Sequence, residues 1–498
     1  MRKLFFLAFL LSYFATASNG QSDNNLLVKR FSLASKDNLV FEPLILKGNK
    51  NETILVYVKF INAFKPVKLL TIVLDEKWNK IYEKETGDIE GFKKAIGEMR
   101  GKARISMARL QAVDYDNEFG IYYERSKDLL SFSLSKKDYS IKQNKDIEID
   151  TKLPVTVFQR DRSIIKAFPF KNQMYVLFAG KEDNELTVAT IKKGGTIDYK
   201  TIKVPQLKLD KGNGKSKELE FMKHDEFDWK SDSLITFIFH TDNDSKYFHT
   251  ILFNIDLMKA RVVKYTYPTV GNSKDNDVYR GAFLVDNKVY LSSVTAEKTV
   301  VSIKEQSTGV ELKSFSFKNS DKIPYQNTPI VERFAEYSRG NDNPHAVKVE
   351  PVKLEKFWKR YGKGGDDANI GVINVEPVDN LLRFSIGYQD SRLQTYSSTT
   401  YSSMALPNGG STTPSARTTS TQYTEKTSSD CYGYFDKNFE HLPNQKMSVL
   451  EQQWETVFQK SSKLKELSLG MKKFTIAGKD GFIYYDREKD ELVLVKNK

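Results

Sequence analysis

The chain has 498 residues, a formal net charge of +13 and a single cysteine, Cys431. One cysteine excludes an intrachain disulfide and any zinc site built from several thiolates. The 25 tyrosines and 32 phenylalanines favour strands over helices. The basic residues are scattered, without a run of five or more. We therefore expect no nucleic-acid partner, and the charge by itself identifies no other polyanion.

The first predicted element is a secretory signal peptide over residues 1–20. Two basic residues follow Met1, residues 4–14 are mainly apolar, and Ala15 and Ala17 provide small residues before the cleavage site. The apolar run is too short to span a bilayer, which argues against the alternative of an uncleaved anchor. No cysteine stands nearby to carry a lipid. We expect a protein exported to the periplasm, the cell surface or the medium, without a lipid anchor.

Residues 21–498 repeat one local pattern, in which an apolar strand runs into a short polar turn and then a second strand. Turn centres fall near residues 75, 127, 194, 256, 308, 436 and 486, mostly 50 to 70 residues apart. Several of these turns begin with an aspartate, as at Asp75, Asp256, Asp436 and Asp486. Several strands per unit at such a period are typical of propeller blades.

On this strand pattern and period, the chain resembles β-propeller proteins across most of its length, without the motifs of a named propeller family. The resemblance implies an all-β domain over residues 21–498, a β-propeller of about seven blades with short helical insertions. The first strands, at 26–31 and 38–46, are placed to pair with the last hairpin, at 481–495, and close the ring. Tandem β-sandwiches are the alternative, because the same hairpins would also build them.

Three segments have the apolar spacing of helices. Residues 88–99 follow the N-cap candidate Asp88. Residues 351–361 start with Pro351, a residue type that suits a first helical position. Residues 449–468 follow Ser448, which forms a predicted capping box with Glu451.

Residues 391–429 are unusual, because 20 of these 39 positions are serine or threonine and four are charged. One interpretation is a low-complexity disordered or glycosylated loop. The other, which we favour, is a long hairpin with a disordered tip, since threonine and tyrosine suit strands and the centre PNGGSTTP is rich in turn residues. Either way the segment projects from its blade and offers a contact surface.

No motif identifies a reaction, and we predict no catalytic, cofactor-binding or metal-binding residue. The weak candidates all have simpler structural explanations. They are the histidine pair His240 and His249, the calcium-like loops at Asp114, Asp210 and Asp242, the glycine-rich residues 362–367, and the basic cluster at Arg160, Asp161 and Arg162.

The sequence therefore favours an exported, non-catalytic binding or scaffold protein of the bacterial cell envelope, without a cofactor. Its expected partner is an envelope protein or polysaccharide. The basic surface is compatible with peripheral attachment to a membrane. We expect the protein to be a monomer. The alternative is a carbohydrate-active enzyme or lectin that uses the propeller channel. A cleft in which acids and aromatic rings converge would favour that alternative.

Overall fold

A computed structural model provides the fold. It describes residues 26–33, 39–59, 68–87, 89, 110–124, 128–148, 164–179, 184–205, 228–231, 234–239, 246–271, 278–320, 322–338, 344–361, 369–378, 380–402, 415–463, 472–476, 479–486, 489 and 491–497. The predicted signal peptide and most of the predicted helix at 88–99 lie outside these residues. No helix in this described part is long and apolar enough to cross a membrane.

The described residues form seven small antiparallel sheets, numbered here in chain order. Sheet 1 contains β2 (Leu39–Lys47), β3 (Thr53–Lys59), β4 (Lys68–Leu74) and β5 (Lys80–Glu85). Sheet 2 contains β6 (Leu110–Asp114), β7 (Glu118–Glu124), β8 (Asp128–Ser135), β9 (Ile141–Gln143) and β10 (Ile147–Glu148). Sheet 3 contains β11 (Ile164–Phe170), β12 (Gln173–Ala179), β13 (Glu185–Ile191) and β14 (Ile197–Lys203).

Sheet 4 contains β15 (Asp228–Ser231), β16 (Leu234–Phe239), β17 (Tyr247–Asn254) and β18 (Lys259–Thr266). Sheet 5 contains β19 (Tyr279–Val285), β20 (Lys288–Val294), β21 (Lys298–Glu305) and β22 (Glu311–Lys318). Sheet 6 contains β23 (Val331–Ser338), β24 (Pro344–Pro351), β25 (Asn369–Val378), β26 (Leu381–Ser402) and β27 (Ser415–Phe435). Sheet 7 contains β28 (Lys472–Ile476), β29 (Lys479–Asp486), β30 (Glu491–Asn497) and β1 (Leu26–Ser32). The helices are α1 (Leu354–Arg360) and α2 (Val449–Lys463).

Burial along the strands explains why the sheets stack around a ring. Middle strands such as β13 are buried at every position, because each sheet packs against a neighbour on both faces. The last strands, such as β14 and β22, alternate or expose most positions, because they form the outer rim.

A separate apolar cluster lies at each boundary between neighbouring sheets. Six of these clusters join sheets 1 and 2, 2 and 3, 3 and 4, 4 and 5, 5 and 6, and 7 and 1. At the boundary of sheets 6 and 7, α2 packs Val457 and Trp454 onto sheet 7. The packing therefore continues around the whole ring, as in a propeller, and confirms the all-β propeller prediction over tandem sandwiches.

Sheet 6 differs from the others in strand order. In the other six sheets, neighbouring strands follow chain order, with β1 completing sheet 7 and β9 and β10 both pairing with β8. In sheet 6 the order is β24-β23-β27-β26-β25, so the earlier hairpin forms the outer edge. The structure thus has six regular blades, where the sequence predicts about seven.

The ring closes where the sequence predicts. Strand β1 pairs antiparallel with β30 along its whole length, from Leu26 opposite Asn497 to Ser32 opposite Glu491. The second predicted closing segment, 38–46, instead supplies β2, the first strand of sheet 1. Closure is therefore made by β1 alone, which covers the edge that β30 would otherwise leave open.

Two of the aspartate turns that recur in the sequence share the same structure. At Asp75 and Asp436 the side-chain oxygen accepts a hydrogen bond from the backbone nitrogen four residues later, at 2.7 and 2.8 Å. In each turn, a buried aromatic residue with positive φ lies between the aspartate and this nitrogen. It is Trp78 in the first turn and Phe439 in the second. The buried ring stabilises a conformation that a side chain seldom adopts.

Both helices predicted within the described residues are present, the first with a later start and the second with the predicted start. Helix α1 begins at Leu354, and Pro351 ends β24 instead of starting the helix. Its predicted apolar side packs as expected, with Phe357 and Tyr361 buried and Trp358 against the same cluster. Helix α2 begins at Val449, directly after the predicted capping residue Ser448.

Candidate functional site

Helix α2 starts with the capping box that the sequence predicts. The Ser448 backbone nitrogen donates to Glu451 Oε2 at 2.8 Å, and the Glu451 nitrogen donates to Ser448 Oγ at 3.2 Å. The other carboxylate oxygen, Glu451 Oε1, accepts a hydrogen bond from Arg383 at 2.9 Å. Glu451 therefore caps the N-terminus of the helix and also attaches the helix to sheet 6.

Arg383 is the centre of a buried ion cluster between sheet 6 and α2. Its two terminal nitrogens contact Glu376 at 2.8 Å and Glu451 at 2.9 Å. Its guanidinium lies 4.4 Å from the centre of the Tyr432 ring. Burial would lower the pKa of Arg383, but Glu376, Tyr432 and Glu451 outweigh it and raise the pKa above its ordinary value. The arginine is permanently charged and held by both glutamates.

A second arginine continues this cluster toward the outer strands. Arg333 contacts Asp430 at 2.6 Å and Glu455 of α2 at 3.2 Å. The Tyr432 hydroxyl donates to the same glutamate at 2.7 Å. Burial raises the pKa of Asp430 above its ordinary value, although Arg333 opposes this. We call this set the ionic junction: Arg333, Glu376, Arg383, Asp430, Glu451, Glu455 and Lys473.

A cavity of about 230 Å³ lies beside the ionic junction, between sheets 6 and 7. Aromatic and aliphatic side chains form much of its wall, and four charged residues reach it. The lining includes Pro377, Leu450, Trp454, Phe474 and Phe482, with Arg383, Glu451, Lys473 and Asp480. Acids and aromatic rings thus converge at one cleft, at a sheet boundary.

The contacts of the cavity residues show what they can do chemically. Trp454 meets Phe482 edge to face at 5.2 Å, and the Lys473 ammonium lies 5.0 Å from the indole centre. Lys473 also pairs with Glu376 at 2.7 Å. Glu376 and Glu451 are each held by a basic group, so their carboxylates stabilise the junction.

Glu376 predicts a pH dependence of stability. Burial would raise its pKa, but Arg383 and Lys473 lower it below the ordinary value of 4.5. A lowered folded-state pKa gives stability that is present above the unfolded pKa and lost as pH falls through the folded value. We therefore expect the difference in unfolding free energy between the wild type and Glu376→Gln to shrink below about pH 4.5. Urea denaturation from pH 7 to pH 3 measures it, and a difference that is constant with pH would contradict the assignment.

The serine- and threonine-rich segment forms the long hairpin that the sequence favours. Strands β26 and β27 pair in continuous register from Leu382 opposite Phe435 to Ser402 opposite Ser415. The predicted disordered tip, around the turn-rich centre PNGGSTTP, lies outside the described residues. Strand β25 accompanies β26 only as far as Gln389, and β23 accompanies β27 only from Tyr423 onward.

Beyond these points the hairpin has two strands alone within the described residues. We call residues 395–402 and 415–422 the arm. Its eight residue pairs extend about 27 Å at roughly 3.4 Å per residue. The arm is therefore a continuation of sheet 6 in which, within the described residues, β26 and β27 pair with each other.

The structure describes two of the weak candidates from the sequence, Asp114 and His249. Asp114 accepts a hydrogen bond from Lys136 in its turn, and His249 lies in β17 opposite Phe239 and Lys264. His240, Asp210, Asp242, residues 362–367 and the Arg160 cluster lie outside the described residues. Among described residues, no group of three or more histidine, cysteine or acidic side chains could hold a metal.

Cys431 is buried within sheet 6, and its sulfur lies 3.8 Å from the Ile386 carbonyl oxygen. Burial, with a smaller contribution from Asp430, raises the pKa of the thiol above its ordinary value. A buried thiol of raised pKa is a poor nucleophile. The residue behaves as the small core side chain that the sequence predicts.

The ionic junction itself was not predicted. Its members are spread from Arg333 to Lys473 and belong to five strands and one helix. The only local signal was the capping box at Ser448 and Glu451, which identified one of the seven residues. Charged residues at strand positions otherwise resemble ordinary surface residues in a sequence.

Comparisons with known proteins add no family. No protein-family model and no curated protein matches the chain. Similar solved structures include the Dos1 propeller, with 10% identity and TM-score 0.28 over 54% of this chain and 57% of that chain. A europium-containing methanol dehydrogenase has 10% identity and TM-score 0.32 over 94% and 80%. A Bacteroides fragilis NCTC 9343 protein described as exported has 10% identity and TM-score 0.25 over 74% and 86%. These scores carry no functional argument, and the propeller assignment rests on the sheets.

Proposed function

We propose that this chain is an exported, non-catalytic binding or scaffold protein of the bacterial cell envelope, which contacts its partner through the arm. The observation that carries the proposal is the two-stranded extension at 395–402 and 415–422, which within the described residues continues past the paired ends of strands β23 and β25. Loops and hairpins that extend from a rigid scaffold commonly carry binding residues. The predicted signal peptide supports export, and an envelope protein or polysaccharide is the proposed partner.

The structure suggests a clean deletion that tests this role. Gln394 and Tyr423 are directly paired, so residues 395–422 can be replaced by an Asn-Gly turn that joins two facing positions. We expect the unfolding free energy to change by less than about 0.5 kcal/mol, because in the described part of the chain the deleted strand residues pair with each other. We expect attachment to a bacterial envelope fraction, measured by co-sedimentation, to be lost.

High salt distinguishes attachment through the arm from attachment through the basic surface. Exposed charge contacts weaken strongly at about 0.5 M salt. Sedimentation that persists at this salt with the wild type, but not with the deletion variant, supports the arm. If the deletion variant still sediments at low salt and is released by high salt, the basic surface is the attachment site and the arm proposal is wrong.

A second candidate is a lectin, favoured by the cavity beside Trp454, where acids and aromatic rings converge. A volume of about 230 Å³ suits a small sugar ring better than a larger ligand. Titration calorimetry with neutral monosaccharides tests it. Binding that Trp454→Ala abolishes would support the lectin, and heats that are the same for both proteins would exclude this cavity.

A further inference from the structure

The ammonium group of Lys473 occupies one corner of the cavity between sheets 6 and 7. Its nitrogen lies 5.0 Å from the centre of the Trp454 indole and 2.7 Å from the Glu376 carboxylate. A cation that faces an indole ring and contacts a carboxylate is held by two favourable interactions at once. This corner of the cavity therefore suits a positively charged nitrogen.

Lys473 is the most exposed member of the ionic junction. Its side chain is 46% exposed, whereas every other side chain of the junction is less than 30% exposed. An exposed lysine ion pair stabilises a fold little, and an exposed cation–π contact is similarly weak. The long, flexible lysine side chain can therefore leave this position at small cost, while the buried Arg383 stays.

The charges around the cavity favour a cation once the Lys473 ammonium has moved away. Three carboxylates belong to this region, those of Glu376, Glu451 and Asp480. Among the described residues that line the cavity, Arg383 is then the remaining basic group, and it is bound by Glu376 and Glu451. Three carboxylates against one guanidinium attract a positively charged ligand.

The rest of the cavity suits a small ring with an apolar face. Trp454 and Phe482 meet edge to face at 5.2 Å, and Phe474 lines the same space. The C–H face of a pyranose packs against such aromatic walls, and a few polar groups fix its orientation. The hydroxyl-bearing Ser448 is also part of the lining. A volume of about 230 Å³ accommodates one substituted sugar ring.

We propose that this cavity binds an amino sugar with a free, protonated amine, whose ammonium replaces that of Lys473 between Glu376 and Trp454. The inference rests on the lectin candidate of the proposed function and names the class of sugar that the site selects. It does not depend on the arm, which contributes no residue to the cavity lining.

Three monosaccharides that differ at one substituent test the proposal. Glucosamine carries the ammonium, N-acetylglucosamine has the same ring without the charge, and glucose has a hydroxyl at that carbon. For a ligand of about a dozen non-hydrogen atoms, we expect a Kd on the order of 1 mM. Titration calorimetry at about pH 6, where the amine is protonated, is expected to show glucosamine binding about tenfold tighter than the other two.

Lys473→Met gives the sharpest expectation, because the loss of a basic residue should strengthen the binding of a cation. We expect glucosamine to bind about fivefold tighter to this variant, since the ligand no longer displaces an ammonium. The affinity for glucose is expected to stay unchanged. The matched control is Lys313→Met, because Lys313 is 35% exposed and pairs with Glu440 at the same distance of 2.7 Å. It should bind glucosamine as the wild type does.

The outcomes separate the inference from both proposed functions. Glucosamine affinity that is unchanged or lower in Lys473→Met would overturn the replacement of Lys473. Equal affinity for the three sugars, lost in Trp454→Ala, would overturn the preference for an amine and leave the lectin candidate standing. If none of the sugars binds at up to about 20 mM, both are wrong. The arm deletion variant keeps the cavity, so its attachment to the envelope fraction reports on the arm alone.

Discussion

Replacing Arg383 by methionine is expected to lower the free energy of unfolding by about 3 to 5 kcal/mol, because the substitution leaves two glutamates without their shared partner. The Arg383 side chain is 6% exposed, and its contacts to Glu376 and Glu451 are 2.8 and 2.9 Å long. Methionine fills much of the same volume, so the loss reports the missing charge more than a cavity. Urea denaturation at pH 7 measures it.

The matched control for this substitution is Arg30→Met. Arg30 pairs with Glu491 at 3.2 Å, but its side chain is 41% exposed, and surface pairs contribute at most about 1 kcal/mol. The double variant Arg383→Met with Glu451→Gln should lose less than the sum of the single losses, because the two residues share one interaction. Equal losses for Arg383→Met and Arg30→Met would contradict a buried junction.

Phe31→Ala is expected to destabilise the protein by about 3 kcal/mol or more, because the ring lies in the apolar cluster between sheets 7 and 1. The residue belongs to β1, the strand that completes sheet 7 beside β30. The substitution therefore tests whether β1 closes the ring. Denaturant midpoints with constant m-values would show that stability, and not the unfolding mechanism, has changed.

Val28→Ala provides the comparison within the same strand. Val28 is 47% exposed, so its truncation is expected to change the unfolding free energy by less than about 0.5 kcal/mol. A small effect at both positions would mean that β1 does not pack in sheet 7. A large effect at Val28 would mean that this face of β1 is covered, contrary to the structure.

Phe31→Ala and Arg383→Met examine the two boundaries of sheet 7, the first with sheet 1 and the second with sheet 6. On the side of sheet 1, Phe31, Leu55 and Ile483 belong to one apolar cluster. On the side of sheet 6, helix α2 and the ionic junction fill the boundary, and the cavity lies there. Because this boundary is built from a helix and buried charges, it is where the stability of the ring depends most on polar contacts.

The local elements followed from sequence patterns. Hairpins at Asp75 and at Gly194 were predicted because apolar runs and turn residues alternate, and the structure places turns there. The capping box at Ser448 was predicted because its two hydrogen bonds join residues three positions apart. The long hairpin at 391–429 was favoured because of its strand-forming residues and turn-rich centre. Each of these features depends on neighbours within a few residues, so the sequence alone was enough.

The ionic junction and the strand order of sheet 6 were decided by tertiary structure. Arg333 and Glu455 are 122 positions apart and Arg383 and Glu451 are 68 apart, and no local pattern pairs such residues. In sheet 6 the hairpin β23–β24 pairs with β27, which lies beyond the whole β25–β26 hairpin in the chain. Long-range pairing depends on which surfaces remain uncovered after local hairpins form. The strand and turn pattern of the sequence thus determined a ring of hairpins. Packing between distant strands decided how the boundary between sheets 6 and 7 is built.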